Sequence, residues 1–400
     1  MKKTYLAKLL INNLFNTKYS ANHRINEKLE NTLKDYFSLP VYLVNSGRSA
    51  IYLILKAAGI GTGDEVLIQA YTCNAVPNPI IWTGAKPIYA DIDKNTLNFD
   101  LNDLQKHITN KTRAIIVQHT FGRPGPIDEV LKIVKEKNLL LIEDCAHCLG
   151  ASHKGQKLGT FGDAAILSFA RGKVISSISG GAIIVKNEKL NDKIKSVIEK
   201  LPNTPKRQIF KDLFNFITWR GILRRVYFNQ ISYRVIDFLD KQDFFNPIYS
   251  RKEMEGLKPK WHPSKLNSLY ASLALEEFSK LDFYNKRREE IAMEYFNNIT
   301  NKNINLLPIH TGIYLRVVAF CNDPNIFFEK SRRYKAWFGN WYNAPVFPKE
   351  TNLEKVSYKQ KSCPQAEYAA AHTINLPNYP DITSKQLEYA INFLNKYDEL

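Results

Sequence analysis

The chain has 400 residues, 44% of them hydrophobic and 12% aromatic, which suits one large folded unit plus a smaller one and excludes a disordered or low-complexity protein. Its net charge of +17 (pI near 9.4) favours an anionic substrate, an anionic membrane surface or nucleic acid; a solvated lysine-rich surface accounts for it equally well, and no recognisable nucleic-acid-binding motif is present. Five scattered cysteines (Cys73, Cys145, Cys148, Cys321, Cys363) exclude a disulfide framework and point to a reducing, cytosolic setting.

The N-terminal "MKKTYLAKLLINNLF" begins like a signal peptide, but Lys8, Asn12 and Asn13 break the apolar run. No small-residue cleavage site follows, so an amphipathic helix is expected. From Val41 onward helices and strands alternate. "SAIYLILKAAGI" carries apolar residues at helical spacing and stops at Gly59. "GTGDEVLIQA" is a turn and a strand, "NAVPNPIIWTGA" a helix opened by a proline turn, and "KPIYADID" a strand. "DLNDLQKHI" is a helix capped by Asp100. Then come "TRAIIVQHT" (strand), "PIDEVLKIVKEKN" (helix), "LLLIED" (strand), and the strands "DAAILSF" and "GGAIIVKN". Nearly all-apolar strands alternating with helices predict a parallel or mixed sheet covered on both faces. No segment approaches the length of a membrane span.

Residues 201–260 differ in character: aromatic, basic and helically periodic, like an insertion. Within them, 207–240 gathers Trp219, Phe228, Arg220, Arg224, Arg225 and Arg234. That suits an amphipathic core or dimer helix, with peripheral membrane contact as the alternative. "SKLNSLYASLALEEFSKLDFYNKRREEIAMEYF" is expected as one long helix, followed by strand-like "GIYLRVVAF" and a closing helix at "SKQLEYAINFLNKY". The predicted division is a large cofactor-binding domain over 1–260 and a smaller C-terminal α/β domain over 261–400.

In open α/β sheets, ligands sit at the carboxyl ends of the strands. Cys73, His119, Asp144 and Ser168 all fall near such ends. The glycines of "GIGTGDEV" follow a helix and precede a strand, the wrong order for a dinucleotide fingerprint. Asp144 ends an apolar strand, where a carboxylate is costly unless paired. Lys173 follows Ser168 on the loop before a Gly-rich turn. Such an Asp and Lys can clamp a pyridine ring, the Asp on its nitrogen and the Lys as a Schiff base. Ser168 and the "SGRSA" helix start can hold a phosphate. Each residue alone also has an ordinary explanation: an ion-paired Asp, a surface Lys, a packing Ser. His119 reads as pocket lining or as core. Cys73 reads as a small buried hydrophobe or as a reactive thiol. "CAHC" has metal-like spacing, but no second Cys or His pair completes a four-ligand site, and no thioredoxin-like context supports a redox role.

The motifs "NSGRSA", "GIGTGDEVLIQAYT", "GAKPIYADIDKNTLNFD", "TRAIIVQHTFGRPGPID", "LLLIEDCAH", "GTFGDAAILSF" and "GGAIIV" together resemble the DegT/DnrJ/EryC1/StrS family of sugar aminotransferases, of the aspartate-aminotransferase fold type. The resemblance runs from about Val41 to Asn187 and resumes weakly at "LNSLYASLALEEFSKLD" and "CPQAEYAAAHTINLPNYPDIT". It implies a three-layer α/β/α fold with a mostly parallel seven-stranded sheet, a smaller C-terminal α/β domain, a homodimer, and pyridoxal 5'-phosphate as cofactor. By the same resemblance Lys173 is the cofactor-linking lysine and Asp144 the carboxylate on the ring nitrogen. His147 falls where the family contacts the ring hydroxyl, Ser168 is the phosphate-binding serine, and Arg48 and Ser49 lie where backbone N–H groups meet the phosphate.

Three departures stand out. Cys73 occupies the place of a stacking Phe or Trp. Pro263 and Lys265 stand where the family has an Asn and an Arg reaching a neighbouring subunit's phosphate. Residues 201–260 are unusual. The function implied is transfer of an amino group, from glutamate, to a nucleotide-linked keto sugar in surface-polysaccharide or amino-sugar synthesis, in the cytoplasm. The rivals are a non-sugar ketone, a sugar dehydratase (against which the presence of Lys173 argues), and a catalytically silent binding or scaffold homologue.

Overall fold

The apolar runs pair into one seven-stranded sheet. In chain order its strands are β1 (Val41–Val44), β2 (Glu65–Gln69), β3 (Lys86–Ala90), β4 (Thr112–Gln118), β5 (Leu140–Asp144), β6 (Ala164–Ser168) and β7 (Gly181–Val185), in a computed structural model that describes residues 23–218, 250–334 and 337–399. The spatial order is β1-β7-β6-β5-β4-β2-β3. Only β7 runs antiparallel to its neighbours; the remaining pairings are parallel. The mostly parallel seven-stranded expectation is met. The N-terminal "MKKTYLAKLLINNLF" lies outside the described residues, as does most of 207–240.

Alternation along the strands explains why both faces are covered. Ile68, Ile116, Ile142, Ile166 and Ile183 turn to one face, packed by α2 (Gly47–Ala57), α3 (Pro77–Thr83) and α6 (Glu188–Glu199). Leu67, Ile115 and Leu141 turn to the other, under α4 (Leu101–Lys106) and α5 (Ile127–Lys137). Further along that second face, Leu43, Leu167 and Ile184 pack with α1 (His23–Phe37). Asp100 caps α4 as expected, its side chain accepting the N–H groups of Asn102 and Asp103.

The 201–260 stretch is bound to the large sheet's surroundings. It holds α7 (Lys206–Thr218) and the short α8 (Arg251–Met254). Leu213 is buried in the second-face core, and Asp212 accepts a hydrogen bond from Tyr270 (3.1 Å). Glu253 is buried and paired with Arg48.

The expected long helix is two helices, α9 (Ser268–Phe278) and α10 (Leu281–Asn298). No Gly or Pro marks the break. Its cause is tertiary: Leu269, Ala271 and Leu273 of α9 pack on α1's side of the large sheet, whereas Ile291, Ala292 and Tyr295 of α10 serve a separate core. One straight rod cannot present both faces. That separate core covers a three-stranded antiparallel sheet of β8 (Asn305–Leu306), β9 (Val317–Phe320) and β10 (Thr373–Leu376). α11 (Pro324–Arg333) and α13 (Ser384–Asn395) also pack into it, through Phe327 and Phe393. Between them α12 (Pro364–His372) returns to the large core through Ala366 and Ala369.

Strand β5 ends in two consecutive carboxylates that point to opposite faces. Glu143, fully buried, accepts N–H groups from Phe161 and Gly162 on Oε1 (2.8 and 2.9 Å) and from Gly159 on Oε2 (2.8 Å). Three backbone donors leave this carboxylate well solvated by protein, so it fixes the 159–162 turn. Glu143→Ala is expected to lower stability by about 3–5 kcal/mol, since it orphans those donors in a dry site. Urea unfolding measures it, and an unchanged midpoint contradicts the role.

Candidate active site

Strand ends β4, β5 and β6, the start of α2 and the loop from β6 to β7 converge on one pocket at the carboxyl end of the large sheet. Of the residues singled out from sequence, Arg48, Cys73, Asp144, His147, Ser168 and Lys173 all line it. Ser49 does not. Its hydroxyl is buried, donates to Asn45 Oδ1 (2.6 Å) and lies 2.8 Å from His262 Nδ1, and its N–H is taken by the Ser46 side chain. His119 is fully buried behind the sheet end, beside Glu143.

The phosphate end is formed by close packing. Ser46 caps α2. A Cβ on Gly47 would lie 3.3 Å from the Cβ of Ser168, and one on Gly181 would lie 2.6 Å from Leu167 O. Gly181 has no room for a side chain and Gly47 has little, so the helix start presses against the β6 and β7 ends. The open N-terminal turn of an eleven-residue helix then faces Ser168 and Ser179, an arrangement that favours an anion. Arg48 spends its charge on the buried Glu253.

At the other end stand Asp144 and Lys173. Asp144 accepts one N–H, from Ala146 (3.0 Å), and among the described residues it has no ion-pair partner. Burial raises its pKa. A buried carboxylate so weakly compensated fits a protonated ring nitrogen. Lys173 Nζ lies 2.9 Å from His147 Nε2. Burial lowers the pKa of both groups; Arg316 adds to the effect on each, and Lys173 itself acts on His147. The His147 tautomer follows from its other nitrogen. Nδ1 accepts the Phe121 N–H (3.3 Å), which leaves Nε2 to face the Lys173 amine. The imidazole is held flat against Phe121, 5.5 Å between ring centres and 13° between planes. Phe121 adopts a left-handed conformation (φ 55°) that aims its N–H at the ring.

The chain supplies aromatic lining that the sequence reading missed. Trp341 and Tyr342 border the same pocket. Thr72–Cys73 pairs in parallel with Val346–Phe347, which brings this distant segment over the strand ends. Asn375 of β10 fixes Trp341, accepting its N–H (2.8 Å) and donating to its carbonyl (2.8 Å). Tyr342 donates its N–H to the Tyr71 hydroxyl (3.1 Å). Cys73 is thus buried in a pocket that carries aromatic rings from elsewhere. The only sequence signal was an aromatic, Pro-containing "WYNAPVFP", which nothing local ties to Lys173. Pro263 and Lys265 lie on the large-sheet side: His262, the neighbour of Pro263, meets Ser46 and Ser49 at the start of α2, and Lys265 N–H donates to Pro202 O (2.8 Å).

"CAHC" gains a third potential ligand. Donor atoms of His119, Cys145 and Cys148 lie within 4.8 Å of one another. His119 Nδ1, however, accepts the Gly125 N–H (2.9 Å), so its proton sits on Nε2, 3.3 Å from Glu143 Oε2. That nitrogen has no lone pair for a metal. Burial raises both thiols, the state of inert packing cysteines.

Taken together, the pocket residues fit pyridoxal phosphate: a helix start that favours an anion, a buried carboxylate without an ion-pair partner among the described residues, and a buried lysine. No described helix is long and apolar enough to cross a membrane.

Comparison with known proteins follows the same line. The sequence profile of the DegT/DnrJ/EryC1/StrS aminotransferase family matches residues 3–229 and 251–395. The chain is 27% identical over 367 residues to a GDP-perosamine synthase of Escherichia coli O157:H7, covering 88% of this chain and 84% of that protein. It is 26% identical over 360 residues to a dTDP-3-amino-3,6-dideoxy-alpha-D-galactopyranose transaminase of Aneurinibacillus thermoaerophilus, covering 88% and 84%. Its fold matches the putative sugar aminotransferase Spr1654 of Streptococcus pneumoniae in the PMP form, with TM-score 0.77 and 19% identity over 100% of this chain and 98% of that one.

Proposed function

Since the chain belongs to the DegT/DnrJ/EryC1/StrS aminotransferase family, we propose that it moves an amino group from glutamate to a nucleotide-linked keto sugar, with pyridoxal phosphate as cofactor. The observation that carries this reading is the buried Lys173 amine, 2.9 Å from His147 Nε2, sharing one pocket with the buried Asp144. The names of the full-length relatives, a GDP-sugar synthase and a dTDP-sugar transaminase, support the acceptor class.

Bound pyridoxal phosphate supplies an electron sink for breaking a C–H bond beside nitrogen. The protein's part is as follows. Ser168 and the start of α2 anchor the phosphate. Asp144 holds the proton on the ring nitrogen. Lys173 would attach the cofactor and would serve as the group that moves the proton at the donor carbon; burial lowers the pKa of its amine, the direction that suits a base. His147 orients that amine through Nε2. Trp341 and Tyr342 add aromatic lining to the pocket.

Homodimeric assembly and peripheral contact of 207–240 with an anionic membrane belong to the same proposal. They rest on family resemblance and on the Arg-rich composition of that stretch, and sedimentation and flotation with anionic vesicles test them.

The acceptor is identified by loading the enzyme, converting it with glutamate, and offering GDP-, dTDP- and UDP-linked keto sugars. One or more is expected to restore the cofactor's yellow band and yield an amino sugar. If glutamate converts the enzyme and only non-sugar ketones reverse the change, the sugar assignment fails.

A further inference from the structure

Arg48 stands in the first turn of α2, two residues after the Ser46 cap. A cation there works against the helix dipole, so the position calls for an anion close by. The fold supplies Glu253, whose side chain is 1% exposed and meets Arg48 Nη1 through Oε1. The other oxygen, Oε2, accepts the N–H and the hydroxyl of Ser250 (2.9 and 2.8 Å), so the carboxylate is fixed in orientation. Its backbone is fixed as well. Asn78 of α3 donates to Glu253 O (2.7 Å), Trp82 of the same helix donates to Gly256 O (2.9 Å), and the Asn352 N–H donates to Met254 O (2.9 Å). α3 follows Cys73, which lines the pocket. The pocket wall, α8 and the start of α2 are thus tied into one block.

The pairing does not withdraw Arg48 from the pocket, which it lines together with Ser46, Gly47, Ser168 and Ser179. Burial pushes Lys173, inside the pocket, and His262, behind it, toward their neutral forms, and the charge of Arg48 adds to both effects. His262 Nε2 lies 4.0 Å from Glu253 Oε1, but a neutral imidazole does not compete with Arg48 for that oxygen. A guanidinium held from behind by one fixed carboxylate oxygen keeps its place at the phosphate end.

Resting on the transaminase reading, we infer that Glu253 is a positioning residue for the cofactor: acting through Arg48, it sets how tightly the phosphate is gripped. The grip matters most for pyridoxamine phosphate, the form that has no bond to Lys173 and stays in the pocket by non-covalent contacts alone. The 201–260 stretch thereby acquires a part in holding the cofactor.

The test is a double-mutant cycle on cofactor-free protein, with calorimetry reading the affinity for pyridoxamine 5'-phosphate and for pyridoxamine, which has no phosphate. Glu253→Gln is expected to bind pyridoxamine phosphate about 10-fold more weakly than wild type, and Arg48→Met about 10- to 100-fold more weakly, the worth of charge-assisted hydrogen bonds. Arg48→Met/Glu253→Gln, which leaves no buried charge unpaired, is expected to match Arg48→Met, because Glu253 then has nothing to hold. Glu253→Asp, with the charge kept at a shorter reach, is expected between wild type and Glu253→Gln. All are expected to bind pyridoxamine alike. If Glu253→Gln fails to fold, Glu253→Asp gives the same contrast between the two ligands. Unchanged affinity for pyridoxamine phosphate overturns the inference. So does an equal loss for both ligands, or a Glu253→Gln loss that is as large without Arg48 as with it. A wild type that binds neither ligand overturns the cofactor reading too. A wild type that binds pyridoxamine phosphate and transfers no amine overturns the transaminase reading alone.

Discussion

Lys173→Ala is expected to fold, to bind pyridoxal phosphate only reversibly, and to lose glutamate-dependent bleaching by at least about 10²–10⁴-fold, the range for removing a proton-transfer group. Among the described residues no other lysine lines the pocket; its other cations there, Arg48 and Arg171, are guanidines that stay protonated and cannot act as bases. The variant's stability is expected to hold, because a buried amine with a lowered pKa contributes little charge pairing to the fold. Borohydride reduction followed by mass spectrometry reads the attachment directly. Wild type should retain the cofactor's mass on the peptide containing Lys173 and the variant should not. Cofactor covalently fixed elsewhere in the variant, or undiminished bleaching, removes Lys173 from the chemistry.

Asp144→Asn is expected to pull stability and activity in opposite directions. In the cofactor-free protein the raised pKa means the folded state holds this proton more tightly than the unfolded chain does. Stability therefore falls as pH rises from the ordinary carboxylate range toward the raised value, and the penalty stays in force above it. The asparagine carries no such penalty. The cofactor-free variant should then be more stable than wild type at neutral pH by about 1–3 kcal/mol, the cost of an under-compensated buried group, with the gap closing in acid. With cofactor bound, the loss of charge opposite the ring nitrogen should lower turnover about 10²–10³-fold. Thermal unfolding at several pH values, with and without cofactor, separates the two effects. A destabilised cofactor-free variant at pH 7 would mean that Asp144 is already paired in the resting protein.

Much of the site was legible because it lies along one continuous stretch. Asp144, His147, Ser168 and Lys173 occupy strand ends and a connecting loop of a parallel sheet, where chain order fixes spatial order. Apolar runs, the Gly59 stop and the Asp100 cap are local signals and read correctly. Other features depend on packing between distant segments. Ser49 turns inward because Asn45 and His262 claim its hydroxyl, and His262 arrives from a segment more than 200 residues away. The break after Phe278 reflects two cores pulling on neighbouring helical turns. Trp341 and Tyr342 reach the pocket from the C-terminal third by a two-residue ladder and a side-chain clamp, neither of which has a periodic signature. Parity divides the carboxylate pair: Glu143 and Asp144 look alike in sequence, but alternation sends one to the 159–162 turn and the other to the pocket.

The ladder of Thr72–Cys73 with Val346–Phe347 also has an evolutionary consequence. It stitches the rim contributed by the late chain to a pocket floor laid down by the early chain. Most residues lining the pocket lie between 46 and 179, while Trp337, Trp341 and Asn375, which line the neighbouring open basin, lie beyond them. Drift in the later stretch can therefore change the clientele of the enzyme and leave its chemical engine untouched. A graft of the 337–347 rim, keeping the two ladder residues, is the natural unit for such an exchange.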